Sequence, residues 1–108
     1  MRHVAVFVAV ALALALADAH AQTTGDVARG RAYAERICSE CHAVRPDQAL
    51  SPKFGVAPFK VIADTPGMTA MALSVWLRST HRDMPNLIIP ADDRDDVIAY
   101  IESLKAKR

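Results

Sequence analysis

Two cysteines are all that the 108-residue sequence contains, alongside four glycines and one tryptophan, with aromatic residues at 6 %. So few cysteines exclude a disulfide framework, and so few rings leave little bulk for a self-sufficient core. No charge of one sign dominates: 13 Lys and Arg stand against 12 Asp and Glu, for a formal net charge of +1. With no basic patch, no nucleic-acid partner is expected. Beyond residue 21 there is no alternating strand pattern, no internal repeat and no low-complexity segment, which points away from sheet architectures. Long hydrophobic runs are missing too. The longest, Val4 to Ala17, is fourteen residues, short of the roughly 20 that span a bilayer.

That run does have a reading. Arg2, the apolar stretch and the terminal Ala19-His20-Ala21 follow the order of a secretory signal. Residues 1–21 are expected to be a signal peptide cleaved after Ala21, with no lasting membrane anchor, leaving residues 22–108 as one domain. A domain of that size buries too small a fraction of its surface to be comfortably stable. Such domains commonly lean on a disulfide, a metal or a large cofactor.

Four helical segments are predicted. Gly25 to Ile37 (GDVARGRAYAERI) can be capped by Thr24 or Asp26 and carries Val27, Tyr33, Ala34 and Ile37 near one face. Gly30 in its middle costs about 1 kcal/mol against alanine, a cost that is either tolerated or justified by a close backbone approach. Phe59 to Ala63 makes one or two turns after a loop punctuated by Pro46, Pro52, Gly55 and Pro58. Thr69 to Ser79 follows, with Thr69 as N-cap and Leu73, Trp76 and Leu77 facing inward. The last helix runs from Asp92 to about Lys105, with aspartates at its start and cations at its end, both signs favouring the macrodipole. Its apolar stripe is Val97, Ile98, Ile101 and Leu104. Between the last two helices, Met84, Leu87, Ile88 and Ile89 are too apolar for a solvated loop, and something is expected to bury them.

The chemistry concentrates in Cys38-Ser39-Glu40-Cys41-His42. A disulfide between residues three apart closes too short a loop to constrain the unfolded chain much. A redox dithiol normally sits at a helix start in a βαβ context, whereas this pair sits at a helix end in a chain without strands. A zinc site needs four nitrogen or sulfur ligands, and beyond residue 21 the chain offers only Cys38, Cys41, His42 and His81, two of them adjacent. The remaining reading is covalent haem attachment, for which C-x-x-C-H is the signature. Thiols at i and i+3 can each add to a vinyl group of one porphyrin, and the following histidine then lies under the iron. The haem would supply most of the missing core. For the other face of the iron the candidates are Met84, Met68, Met71 and His81, and Met84, in a proline-fixed loop, is favoured.

GRAYAERICSECHA, HRDMPN and DDVIAYIESLK together make the sequence resemble the class I c-type cytochromes, in the family's order and over essentially the whole chain after the signal. The resemblance implies an all-α cytochrome c fold: three to five helices wrapped around one covalently attached haem c, with N- and C-terminal helices crossing. It implies thioethers at Cys38 and Cys41, and His42 and Met84 as axial iron ligands. Gly30 would let the first helix cross the last against Val97 and Tyr100. A carbonyl of the VAPF stretch would orient His42, from either side of the Ala57-Pro58 pair. Trp76 is either a core aromatic or a donor to a haem propionate. The family's ring of lysines is reduced here to Lys53, Lys60, Lys105 and Lys107, so strong steering to an acidic partner is not implied.

Histidine and methionine together leave no open coordination site and raise the reduction potential. The expected function is therefore one-electron transfer in the periplasm rather than enzymatic catalysis. The donor would be a dehydrogenase or quinol-oxidising complex and the acceptor an oxidase or reductase.

Overall fold

The computed structural model describes residues 24–81, 84, 85 and 87–107; the expected signal, residues 1–21, lies outside them, as do Arg82, Asp83 and Asn86 of the HRDMPN stretch. Every regular element among the described residues is helical. Helix α1 is Val27–Arg36, a 3-10 turn follows at Cys38–Glu40, and α2 is Phe59–Asp64, α3 Ala70–Trp76 and α4 Ala91–Ser103. The all-α expectation holds, with four helices among the described residues.

Local chemistry sets most of the boundaries. Asp26 is the cap of α1, its carboxylate accepting from the Arg29 N–H at 2.8 Å, and Thr69 caps α3 through the Ala72 N–H at 3.1 Å. Helix α3 stops three residues earlier than the sequence suggested, because side chains take over its last carbonyls: Arg78 Nε donates to Ser74 O at 3.0 Å and Ser79 Oγ to Val75 O at 2.8 Å. Helix α4 likewise ends at Ser103, so the terminal lysines fall outside its last turn. Asp92 and Asp93 do lie in its first turn, where the dipole favours them.

The fold's frame is the meeting of α1 with α4. Ala34 of α1 lies in one core with Val97, Ile98, Tyr100, Ile101 and Leu104 of α4, joined by Val44, Phe59, Ala63 and Leu73. A Cβ on Gly30 would fall 1.9 Å from the Asp96 carbonyl oxygen and 2.9 Å from Tyr100 Cβ. The close approach implied by the resemblance is thus present, with the Asp96 backbone rather than Val97 as its partner beside Tyr100. Asp96 also ties the two helices through its side chain, only 7 % exposed, which accepts from the Asp26 N–H at 2.6 Å and from Arg29 Nε at 2.8 Å.

The Arg29 guanidinium first, and the Asp26 N–H second, hold the Asp96 carboxyl below its ordinary range. A carboxylate depressed on folding contributes stability that is complete above the unfolded value, about 3.9, and is lost as pH falls through the folded one. Asp96→Asn is therefore expected to lower the unfolding midpoint at pH 7 while flattening its fall below about pH 4. Thermal melts between pH 7 and pH 2.5 read this, and a constant gap between variant and parent across that range would remove Asp96 from the account. Some acid dependence will persist, since Lys60 and the Ala106 N–H depress Asp64 in the same way.

Two groups of apolar side chains are left partly uncovered by the polypeptide itself. Trp76 is 49 % exposed; Leu73 and Leu77, one turn apart, take the inward face of α3 and carry the indole to its side. Of the apolar loop residues, Ile89 is buried and Met84 half-buried, but Leu87 is exposed and Ile88 is 92 % exposed.

Candidate functional site

The Cys38-to-His42 motif is shaped by one carbonyl. Helix α1 is capped at Ile37, and the Cys38 carbonyl then accepts from both the Cys41 N–H at 3.1 Å and the His42 N–H at 2.9 Å. This tight turn gathers Cys38, Cys41 and His42 at the end of α1. Neither cysteine is in a disulfide, and both are partly buried. Burial foremost, with the neighbouring Cys41, pushes the Cys38 thiol up to about 11. Redox-active dithiols are activated in the opposite direction, so the geometry speaks against thiol exchange. Among the described residues no three His, Cys, Asp or Glu side chains converge as a metal cage would require.

The chain beyond His42 is pinned to the segment 51–59 rung by rung. The Lys53 N–H donates to Cys41 O at 3.4 Å, Ser51 Oγ accepts from the Ala43 N–H at 2.9 Å, and the Phe59 N–H donates to Ala43 O at 2.9 Å. Within this frame His42 Nδ1 donates to the Ala57 carbonyl at 2.7 Å. A carbonyl can only accept, so Nδ1 carries the proton and Nε2 keeps its lone pair. Pro58 restricts Ala57 to extended conformations and lacks an N–H of its own. The question left open by the VAPF stretch is answered: the residue before the proline supplies the carbonyl.

Burial is the main cause lowering the His42 pKa, with the Ala57 carbonyl opposing and His81 adding to the fall. The imidazole is held neutral in the tautomer that a metal ligand needs. Phe59 supports it at a ring separation of 5.2 Å and leads on to Tyr100 at 6.4 Å. Tyr100 in turn donates its hydroxyl to the buried Val44 carbonyl at 2.6 Å. The motif is thereby tied at both ends to the α1–α4 frame.

Met84 belongs to a separate loop. Its N–H donates to the His81 carbonyl at 3.0 Å, which ties it to the stretch that follows α3. Met71 is exposed on α3 and Met68 packs against the core. Sequence reasoning did not foresee two contributors to this arrangement, Asp96 and the edge-to-face contact of Trp76 with His81, ring centroids 5.1 Å apart. Both depend on residues distant in the chain or on side-chain direction, for which spacing gives no signal.

A haem fits these residues. Two free thiols at i and i+3 and a histidine whose Nδ1 is held by a carbonyl are the donor set that covalent attachment and axial ligation demand.

Comparison with known proteins agrees. The chain is 30 % identical to the cytochrome c of Tetrahymena pyriformis over 98 residues, covering 74 % of this chain and 90 % of that protein. No family model and no solved structure matches. A shared identity over most of both chains, on an all-helical fold that presents a C-x-x-C-H turn, shows that this chain belongs to the cytochrome c family.

Proposed function

We propose that this cytochrome c is an exported class I monohaem carrier. It takes one electron at a time from a dehydrogenase or quinol-oxidising complex and passes it to an oxidase or reductase. Cys38 and Cys41 hold the haem as thioethers, His42 is the proximal ligand and Met84 the distal one. The observation that carries the reading is the 2.7 Å bond from His42 Nδ1 to Ala57 O beside two undisulfided thiols. The haem, when bound, supplies the reversible one-electron couple. The chain's share is to fix it. Ala57 orients His42 and raises its basicity, and Phe59 buttresses the ring. Filled axial positions leave no site for a substrate, which supports a carrier rather than an enzyme. Among the described residues no helix is long and apolar enough to cross a membrane.

Absorption spectra of protein made in a host with haem-attachment machinery test the ligation. The reduced form is expected to show sharp c-type bands and the oxidised form the weak far-red band of methionine bound to iron. Met84→Ala should abolish the far-red band and lower the reduction potential; a variant with unchanged spectrum and potential would rule out Met84. Export to the periplasm is a separate part of the proposal, supported by the order of features in residues 1–21. Mass spectrometry of periplasmic material should give a chain beginning at Gln22, and an intact Met1 in the membrane fraction would show an anchor instead.

A further inference from the structure

The 2.7 Å bond from His42 Nδ1 to Ala57 O joins residues fifteen apart in the chain, and the loop between them is built from two short turns rather than a helix or strand. The first turn closes on itself, the Gln48 N–H donating to Arg45 O at 3.1 Å and the Arg45 N–H to Gln48 Oε1 at 3.0 Å. The second runs from Lys53 to Val56. Its Val56 N–H donates to Lys53 O at 3.2 Å, and Gly55 has a φ of +79°, the left-handed conformation that glycine adopts at no steric cost. Ser51 stands between the two turns. Its hydroxyl accepts the N–H of Ala43 at 2.9 Å, the residue directly after His42.

Ala43 is fully buried, so its N–H must find a partner within the protein. Its carbonyl is held as well, by the Phe59 N–H at 2.9 Å. Residues 51 and 59 therefore grip the neighbour of His42 from both ends of the segment that carries Ala57. Ser51 and Ala57 each precede a proline, which confines both to extended backbone, and the Lys53–Val56 turn links them compactly. Ala57 itself is exposed. Water thus competes for His42 Nδ1 whenever the carbonyl moves away.

We propose that Ser51 is a positioning residue for the proximal ligand: its grip on Ala43 holds the Ala57 carbonyl against His42 and thereby sets the reduction potential. The proposal rests on the reading of His42 as that ligand. A carbonyl on Nδ1–H makes the imidazole a stronger donor, and a stronger donor favours the more highly charged ferric iron. Loosening the carbonyl therefore raises the potential. One hydrogen bond biases such an equilibrium by roughly two- to tenfold, or about 20–60 mV at 59 mV per tenfold for one electron.

The test is spectroelectrochemistry of the holoprotein, with exchange of the His42 Nδ1 proton followed by NMR in the reduced form. Ser51→Ala should raise the potential by about 20–60 mV, the same two- to tenfold bias, and speed that exchange. Ser51→Thr, which keeps a hydroxyl, should stay near the parent in both readouts. Asp96→Asn, which weakens the α1–α4 contact away from this loop, should lower the unfolding midpoint and leave the potential unmoved. In the parent the Ala43 N–H should exchange slowly; fast exchange there would overturn the proposal even where Ser51→Ala failed to retain its haem. An unchanged or lowered potential in Ser51→Ala would overturn it too, as would a Ser51→Thr protein that behaves like the alanine variant. An equal rise in Asp96→Asn would do the same, by tracing the effect to general loss of stability. A parent without c-type bands removes the His42 reading and the role of Ser51 with it, whereas a banded parent with unresponsive Ser51 variants removes the role of Ser51 alone.

Discussion

Gly30→Ala is expected to lower the thermal midpoint by roughly 8–16 °C. The added Cβ would lie 1.9 Å from the Asp96 carbonyl oxygen and 2.4 Å from its carbon, far inside contact distance, and both partners are backbone, which cannot rotate away. The helices must therefore separate by more than an ångström. Separation strains the Asp26 N–H and Arg29 bonds to the Asp96 carboxylate, and it pulls on Tyr100, whose hydroxyl holds the motif through Val44. Overpacking of this kind costs about 1–3 kcal/mol or more, and this site belongs at the upper end. Alanine returns about 1 kcal/mol in helix propensity, which reduces the loss without reversing it. At about 4–8 °C per kcal/mol for a domain of this size, the net shift remains large. Gly25 is a useful control. Its added Cβ would also meet backbone, Asp95 O at 2.0 Å, but the residue precedes α1, where the chain can yield, and a smaller loss is expected. A Gly30→Ala protein that melts with the parent would mean that the two helices do not approach this closely.

The second large effect concerns retention of the cofactor. Cys38→Ser combined with Cys41→Ser should leave no haem on the polypeptide after denaturing electrophoresis, because a hydroxyl does not add to a vinyl group as a thiol does. The parent should keep its haem through the same treatment. Haem staining of the gel, with protein staining beside it, reads the difference directly. The double variant is also expected to accumulate poorly, since a domain of this length buries too little surface to forgo its one stabilising aid. Haem that travelled with the denatured double variant would show attachment elsewhere and remove Cys38 and Cys41 from that role.

What the sequence alone determined rests on short-range spacing. The Cys38-Ser39-Glu40-Cys41-His42 run, the caps at Asp26 and Thr69, and the apolar stripe of α4 all lie within one or two helical turns, so the repeat of the helix converts spacing into geometry. The need for a glycine at position 30 was legible as an interior anomaly, and the resemblance supplied the reason. Tertiary structure decided the rest. The choice of the Ala57 carbonyl depended on how the 51–59 segment aligns with the motif, and the burial of Asp96 on the approach of Asp26, 70 residues away along the chain. Met84's tie to His81, and His81's to Trp76, followed from where α3 ends and which of its faces the core had already filled. Hydrophobic character along a chain says that a residue favours burial, but not which of two adjacent residues receives it. The polypeptide takes Ile89 inside and leaves Ile88 uncovered, because the packed core lies on only one side of that segment.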